Sequence, residues 1–297
     1  MAAYAQTDSQ IAGHRRRQRA HPRGHRHARA PRTRPPQHRR RHHPDLAQAR
    51  QSHHPLGQAP ISAPYRFPFA QTMTGTLFIV ATPIGNLGDI TYRAVEVLKN
   101  ADVIAAEDTR HSKKLLQHYD ISTPLVSCHQ HTDPAKIIVR LQNGEDVALI
   151  SDAGTPGISD PGGRLIAACR TAAIPVSPIP GPAALITALC ACGLPFDRFV
   201  FYGFLPQKKG RQTFYRELGE SEMTSVFYES THRITKCAAE LAEALPEREV
   251  VFARELTKQY EEFLRGKPAQ IVQLFAEHPE KTKGEFVVIV AGKGFKE

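Results

Sequence analysis

Leu77-Phe78-Ile79-Val80-Ala81-Thr82, followed at once by Pro83-Ile84-Gly85-Asn86-Leu87 and then by a helical stretch from Thr91 to about Asn100, is the segment on which the fold turns. A short run that is apolar at every position, rather than at alternate ones, is a strand buried on both faces. The Pro/Gly/Asn turn and helix that follow make it the start of a strand–helix unit. The unit recurs. Apolar runs at Val103–Ala106, Leu125–Cys128, Val147–Ile150 and Val176–Ile179 alternate with helix-like stretches at about 111–119, 134–142, 161–173 and 182–192. This alternation predicts an α/β domain over 75–193 built on a parallel sheet. Gly193-Leu194-Pro195-Phe196-Asp197 reads as a hinge. Beyond it the pattern predicts strands near 199–202, 225–228, 249–254, 260–264 and 285–291, with helices near 208–219, 231–245 and 268–277. Only Thr257-Lys258-Gln259 separates Val250–Leu256 from Tyr260–Arg265. That gap is too short for a parallel crossover, so the pair is antiparallel and the second domain, 197–293, is mixed α/β.

The chain has 297 residues and a formal net charge of +10, but the charge is unevenly spread. Fourteen arginines against two aspartates put +12 on residues 1–72, leaving 25 basic and 27 acidic residues, net −2, on 73–297. The body is therefore not a basic protein. The leader, 1–74, is poor in aliphatic residues and rich in Arg, His and Pro, so it cannot bury enough apolar surface to offset the entropy of ordering. It reads as a disordered segment outside the fold. Its arginine without lysine reflects codon bias more than selection for charge, which questions whether it is a genuine part of the protein. An arginine-rich arm for phosphate and a histidine tract for metal are the competing readings. No apolar run reaches the roughly 18–20 residues of a membrane span. Cys128, Cys169, Cys190, Cys192 and Cys237 show neither a paired spacing nor a metal spacing, and are expected to be buried thiols of a reduced compartment.

In parallel α/β sheets ligands bind beyond the carboxyl ends of the strands. Four such turns here are rich in Gly, Pro, Thr and Asp: Thr82–Leu87, Glu107-Asp108-Thr109-Arg110-His111, the twelve-residue stretch Ser151–Gly162, and Pro180-Gly181-Pro182-Ala183-Ala184. Small residues let backbone groups approach a ligand, and Pro156 and Pro161 stiffen the long loop before binding. The GxGxxG and GxxxxGK[ST] fingerprints are missing, and no loop gathers the lysines a triphosphate needs. A neutral, glycine-rich cleft fits a nucleoside-like ligand. Asp152 and Asp160 are placed to face a cationic group on it.

VATPIGNLGDIT, AEDTRH, SDAGTPGISDPG, PIPGPAALITAL, FYGFLP, FYESTHRI, ARELTKQYEEFLRG and KGEFVVIV, in this order over about 77–292, resemble the successive motifs of the ribosomal RNA small subunit methyltransferase I family. That family falls within the tetrapyrrole methylase superfamily. The resemblance implies a two-domain tetrapyrrole methylase-like fold, with a parallel-sheet N-terminal domain, a mixed-sheet C-terminal domain and a cofactor cleft between them. It implies S-adenosylmethionine as methyl donor, no metal, and a ribose 2′-hydroxyl of cytidine 1402 of 16S ribosomal RNA, within the 30S subunit, as acceptor. It further implies a cytoplasmic homodimer. Matched motif by motif, the residues expected around the cofactor are Pro83, Gly154, Thr155, Ile158, Ala183, Ala184, Tyr228, Ala253, Gly284 and Glu285. Family members continue past KGEFVVIV into a small helical tail, whereas this sequence ends at Glu297.

A ribose hydroxyl is a weak acid, so a base or a cation near the oxygen helps. The candidates are Glu107, Asp108, Arg110 and His111 after the second strand, and Glu229, His232 and Arg233 in the second domain, with Arg254, Glu255 and Lys258 as further possibilities. The plain structural alternatives are a Glu107–Arg110 ion pair holding a loop and an i,i+4 Glu229–Arg233 pair opening a helix. Arg110, Arg233, Lys208 and Lys209 are the expected RNA contacts. The −2 body implies either positive charge concentrated at the cleft mouth or a substrate presented by an assembled subunit. A tetrapyrrole C-methyltransferase and a non-catalytic RNA- or nucleotide-binding module are the competing readings of function.

Overall fold

The computed structural model describes residues 74–296, so the leader, which carries the Arg, His and Pro tracts, lies outside the described residues. The first half is a five-stranded sheet in the order β3-β2-β4-β1-β5, with β1 at Leu77–Val80, β2 at Val103–Ala106, β3 at Leu125–Ser127, β4 at Val147–Ile150 and β5 at Val176–Ile179. Every neighbouring pair is parallel. The uniformly apolar strands are explained by what covers them. Leu77, Ile79, Val103, Ala105, Val147 and Leu149 face α3 (Ala135–Gln142) and α4 (Gly163–Thr171) on one side. Phe78, Val80, Ile104, Ala106, Ala148 and Ile150 face α1 (Tyr92–Asn100) and α2 (Thr109–His118) on the other. Side chains alternate across a strand, so a run with no polar position needs two apolar layers to receive it.

The second sheet has the order β6-β7-β10-β8-β9, with β6 at Phe199–Phe204, β7 at Thr224–Glu229, β8 at Val250–Arg254, β9 at Glu262–Gly266 and β10 at Phe286–Val290. Only β6–β7 is parallel; β7–β10, β10–β8 and β8–β9 are antiparallel, the last as the short connection predicts. One face packs on α6 (Arg211–Glu220), α7 (Ile234–Ala244) and α8 (Pro268–Glu277). The other face receives α5 (Ala184–Ala191): Leu185, Ala188 and Leu189 lie among Val226, Val251, Ala253, Val287 and Ile289. The helix that the sequence places at the end of the first domain is thus packed into the core of the second sheet. The Pro180–Pro182 turn before it carries the chain from one sheet to the other.

Two expectations are corrected. Four of the cysteines are buried but Cys190 is exposed, because the short helix α5 turns that position away from the sheet. All five are free thiols, with burial raising Cys128, Cys169 (to about 11), Cys192 and Cys237 (to about 12). Glu107 and Arg110 do not pair. Arg110 instead binds Asp108 (3.1 Å), which caps α2 by accepting from the N–H groups of Arg110 and His111, so the guanidinium and the helix start share one carboxylate. Among the described residues no helix is long and apolar enough to cross a membrane.

Candidate functional site

The four small-residue turns do meet at one edge, and the hydrogen bonds between them explain why they hold still. Thr82 and Gly154 exchange both backbone hydrogen bonds, each 2.9 Å, so the long loop after β4 is clipped to the end of β1 like a one-rung ladder. The Thr82 hydroxyl donates to the Ser151 carbonyl (3.3 Å), and the Thr155 hydroxyl to Pro182 O (3.0 Å), which ties the same loop to the Pro-Gly-Pro turn. Gly154 sits at φ +81°, a left-handed conformation that favours glycine. Gly181 lies so close to β1 that an added Cβ would stand 2.9 Å from Ala81 Cβ.

Three of these loops, all but Glu107–His111, form one wall of a cleft of about 480 Å³, and the second sheet forms the other. Gly154, Thr155, Ile158, Ala183, Ala184, Tyr228, Gly284 and Glu285, eight of the ten residues expected around a cofactor, line it. The Tyr228 hydroxyl accepts from Leu185 N–H (3.2 Å), joining the first turn of α5 to β7. Ala253 does not reach the cleft; it is fully buried beneath it in the layer under α5. Pro83 lines a separate, adjoining hollow.

Several lining residues lie outside the ten expected around the cofactor: Ile84 and Ala153, from turns the sequence singled out, and Phe204, Ser230, Thr231, Leu256, Phe286 and Val287. Phe204 is the instructive one. A β-bulge between Phe201 and Phe204, with Gly203 at φ +65°, inserts one extra residue opposite Val226–Tyr228. That puts Phe204 on the same face as Phe201, where both rings meet Tyr228 edge-on at 5.4 and 5.0 Å. Strand alternation assigns Phe204 to the opposite face, and only the bulge reverses it.

Of the groups considered for proton transfer or charge stabilisation, most are already engaged. Glu229 is fully buried between Arg233 (2.7 Å) and Arg211 (3.3 Å), so the anticipated i,i+4 pair exists inside a larger network that includes Glu240 and Tyr215. Arg233 is thereby drawn toward the interior. Arg254 binds Glu262 and the Lys283 carbonyl. Glu255 accepts from Lys258 (3.0 Å) and from Glu285 N–H (3.0 Å), and Lys258 also reaches Glu285 (2.8 Å). Glu255 and Thr257 hold positive φ at this junction, a strain that the surrounding contacts maintain. His232 lines the cleft, while His111 lies in the adjoining hollow. Glu107 stands with Asp160 around another opening near His129 and His131. Burial, then Asp152 and Asp160, raise the Glu107 carboxyl, and burial, opposed by a hydrogen bond from Ser151, raises Asp160. Asp108 is pulled down to about 2 by its hydrogen bonds from Arg110. Lys208 and Lys209 lie on the exposed loop between β6 and α6, away from the cleft lining. Among the described residues no His, Cys, Asp and Glu are grouped to hold a metal.

Two five-stranded sheets enclosing a cleft at the carboxyl ends of a parallel one are the architecture of the tetrapyrrole methylase class. Uroporphyrin-III-C-methyltransferase from Thermus thermophilus aligns with a TM-score of 0.52 at 22% identity, over 73% of this chain and 94% of its own. The family model for Tetrapyrrole (Corrin/Porphyrin) Methylases matches residues 76–272. Proteins named ribosomal RNA small subunit methyltransferase I are much nearer in sequence. That of Pasteurella multocida is 52% identical over 75% of this chain and 81% of its own, and that of Synechocystis sp. 51% identical over 73% and 79%. The chain therefore belongs to the tetrapyrrole methylase family and, within it, to the ribosomal RNA small subunit methyltransferase I family.

Proposed function

We propose that this protein is an S-adenosylmethionine-dependent methyltransferase acting on the ribose 2′-hydroxyl of cytidine 1402 in 16S ribosomal RNA, presented within the 30S subunit. The observation that carries the reading is the cleft itself: one wall is backbone and small side chains of the loops after the parallel strands, the other larger apolar and aromatic side chains of the second sheet, in a chain about half identical to proteins named for small-subunit RNA methylation.

The residues fit the donor. Gly154 keeps the left-handed turn of the long loop at φ +81°, and at Gly284 a Cβ would fall 2.5 Å from Glu255 Cγ. Ile84, Ile158, Leu256 and the Tyr228 ring supply apolar surface for a nucleoside, and Asp160 offers negative charge to a cationic tail. S-adenosylmethionine, when bound, supplies a methyl group on a sulfonium sulfur, whose displacement by a ribose oxygen leaves a thioether and releases the hydroxyl proton. The chain's part is positioning: the Thr82–Gly154 clip, the Thr155–Pro182 bond and the Tyr228–Leu185 bond hold the two walls fixed before ligands arrive, and such preorganisation supplies much of a displacement's rate. Asp108, Glu229 and Glu255 are held in ion pairs and so are poor proton acceptors. His232 lines the cleft and His111 the adjoining hollow. A cytoplasmic homodimer completes the proposal.

The test is transfer of labelled methyl from S-adenosylmethionine to 30S subunits from a strain lacking this gene, with the label mapped to the nucleotide. Label on a ribose 2′-oxygen is expected. Transfer to a uroporphyrinogen-type substrate instead, or binding without transfer to either, would replace the proposal with one of its two rivals.

A further inference from the structure

Beside the main cleft lies a second hollow of about 340 Å³, between the Thr82–Leu87 turn and the first turns of α2. It opens into the same region, since Ile84, Ala153 and Glu285 line both. Pro83, Leu87 and Leu115 give it an apolar lining. Three features make it more than a groove between a loop and a helix. Ser112 lines it almost wholly buried, at 2% exposure, and its hydroxyl has no hydrogen-bond partner. Buried polar groups are nearly always paired, so an orphan hydroxyl in a cavity wall marks a place where something else supplies the partner. Lys114 and His111 line the same hollow, and no carboxylate pairs with either among the described residues. Lys258 enters from the second sheet, held between Glu255 and Glu285. The backbone N–H groups at the start of α2 are not the attraction, because Asp108 already occupies them.

Deepening the function proposed above, and resting on it, we propose that this second hollow receives the ribose and adjoining phosphate of the RNA nucleotide presented for methylation. Its size suits one nucleotide unit. The apolar floor accepts the face of the sugar, the Ser112 hydroxyl meets a polar group on it, and Lys114 and His111 at the exposed rim meet the phosphate. RNA is read by enzymes largely through nucleotides splayed out of their stack, and phosphate contacts set their register. The boundary shared with the main cleft, at Ile84 and Ala153, then places a sugar hydroxyl next to whatever the main cleft holds. Arg110, with its side chain 91% exposed and paired with Asp108, stands one residue before His111 on the same rim.

The experiment compares the full-length chain with Lys114→Glu, Lys114→Arg and Leu87→Trp in steady-state methylation of 30S subunits, with S-adenosylmethionine affinity measured separately by calorimetry. Leu87 is 40% exposed, so a tryptophan there fills the hollow without invading the core. Lys114→Glu should raise the KM for subunits about tenfold, as loss and reversal of one phosphate contact does, and leave donor affinity unchanged. Lys114→Arg should restore most of it. Leu87→Trp should abolish most turnover on subunits, again without changing donor affinity. Normal subunit kinetics in both Lys114→Glu and Leu87→Trp, or a parallel loss of donor affinity that assigns the hollow to the donor's own tail, overturns the proposal. Wild-type inactivity on subunits overturns the parent function and this assignment together, whereas wild-type activity with unaffected variants overturns this assignment alone.

Discussion

At the scale of single residues, burial decides which charges do chemistry and which hold the fold. Arg211 is 6% exposed and contacts Glu229, Glu240, Tyr215 and the Pro206 carbonyl, so it joins the floor of the cleft to the start of α6. Burial alone would weaken its proton affinity, but the hydrogen bond to Glu240 and the surrounding negative charge reverse the effect and raise it. Arg211→Met leaves Glu229 buried with one cation fewer, and should cost about 3–5 kcal/mol in urea denaturation. A loss below about 1 kcal/mol would mean that Arg233 alone satisfies Glu229. Glu107 works in the opposite sense. Burial and the nearby Asp152 and Asp160 raise its carboxyl above the ordinary 4.5, so the folded state is penalised as pH rises past that value and is unaffected well below it. Glu107→Gln should therefore raise the Tm at pH 7 and leave it unchanged near about pH 3.5. The i,i+4 Glu229–Arg233 pair was legible from sequence, but the burial of Glu229 against Arg211 and the hold of Glu255 on Glu285 N–H were not: an acidic residue in a motif looks the same whether or not distant groups lock it.

At the scale of elements, two glycines with similar backbone separate strain from steric occlusion. Gly284 has φ +103° and faces the Glu255 side chain, whereas Gly294 has φ +84° with nothing within 4 Å. Gly294→Ala should cost only the left-handed penalty, about 1 kcal/mol, and leave donor binding intact. Gly284→Ala should also displace Glu255, loosen its hold on Lys258 and weaken S-adenosylmethionine binding at least tenfold by calorimetry. Equal effects from the two would show that Gly284 is needed for its turn and not for the cleft. Most elements of both sheets were legible as apolar runs between turn signals, because the inner strands β1, β2 and β4 of the first sheet are buried on two faces. The helix α5 was legible as a helix but not as a member of the second sheet's core, since an apolar helix is compatible with either neighbour. The bulge at Gly203 was not legible at all.

At the scale of the whole molecule, charge argues for an assembled substrate. The body from 73 to 297 carries −2, and its cations near the cleft are few, so bare RNA has little to grip. Methylation of 30S subunits should exceed that of naked 16S RNA by at least tenfold, and a chain beginning at Met73 should act on subunits within about twofold of the full chain. A large loss on truncation would instead assign RNA capture to the arginines of the leader. The sequence by itself determined the order and type of the elements, the antiparallel β8–β9 pair and the four turns that carry ligand chemistry. These follow from periodicity and turn chemistry, which act over a few residues. Only the tertiary structure decided that Phe204 faces the cleft, that Ala253 does not, that Glu229 and Glu255 are locked in ion pairs, and that Ser112 lies unpartnered in a hollow shared by two loops and a helix. The Arg211 and Glu285 partners of those carboxylates, the burial of Ala253 and the Ser112 hollow depend on groups brought together across long stretches of chain, where partner identity and burial are settled by packing and leave no local trace.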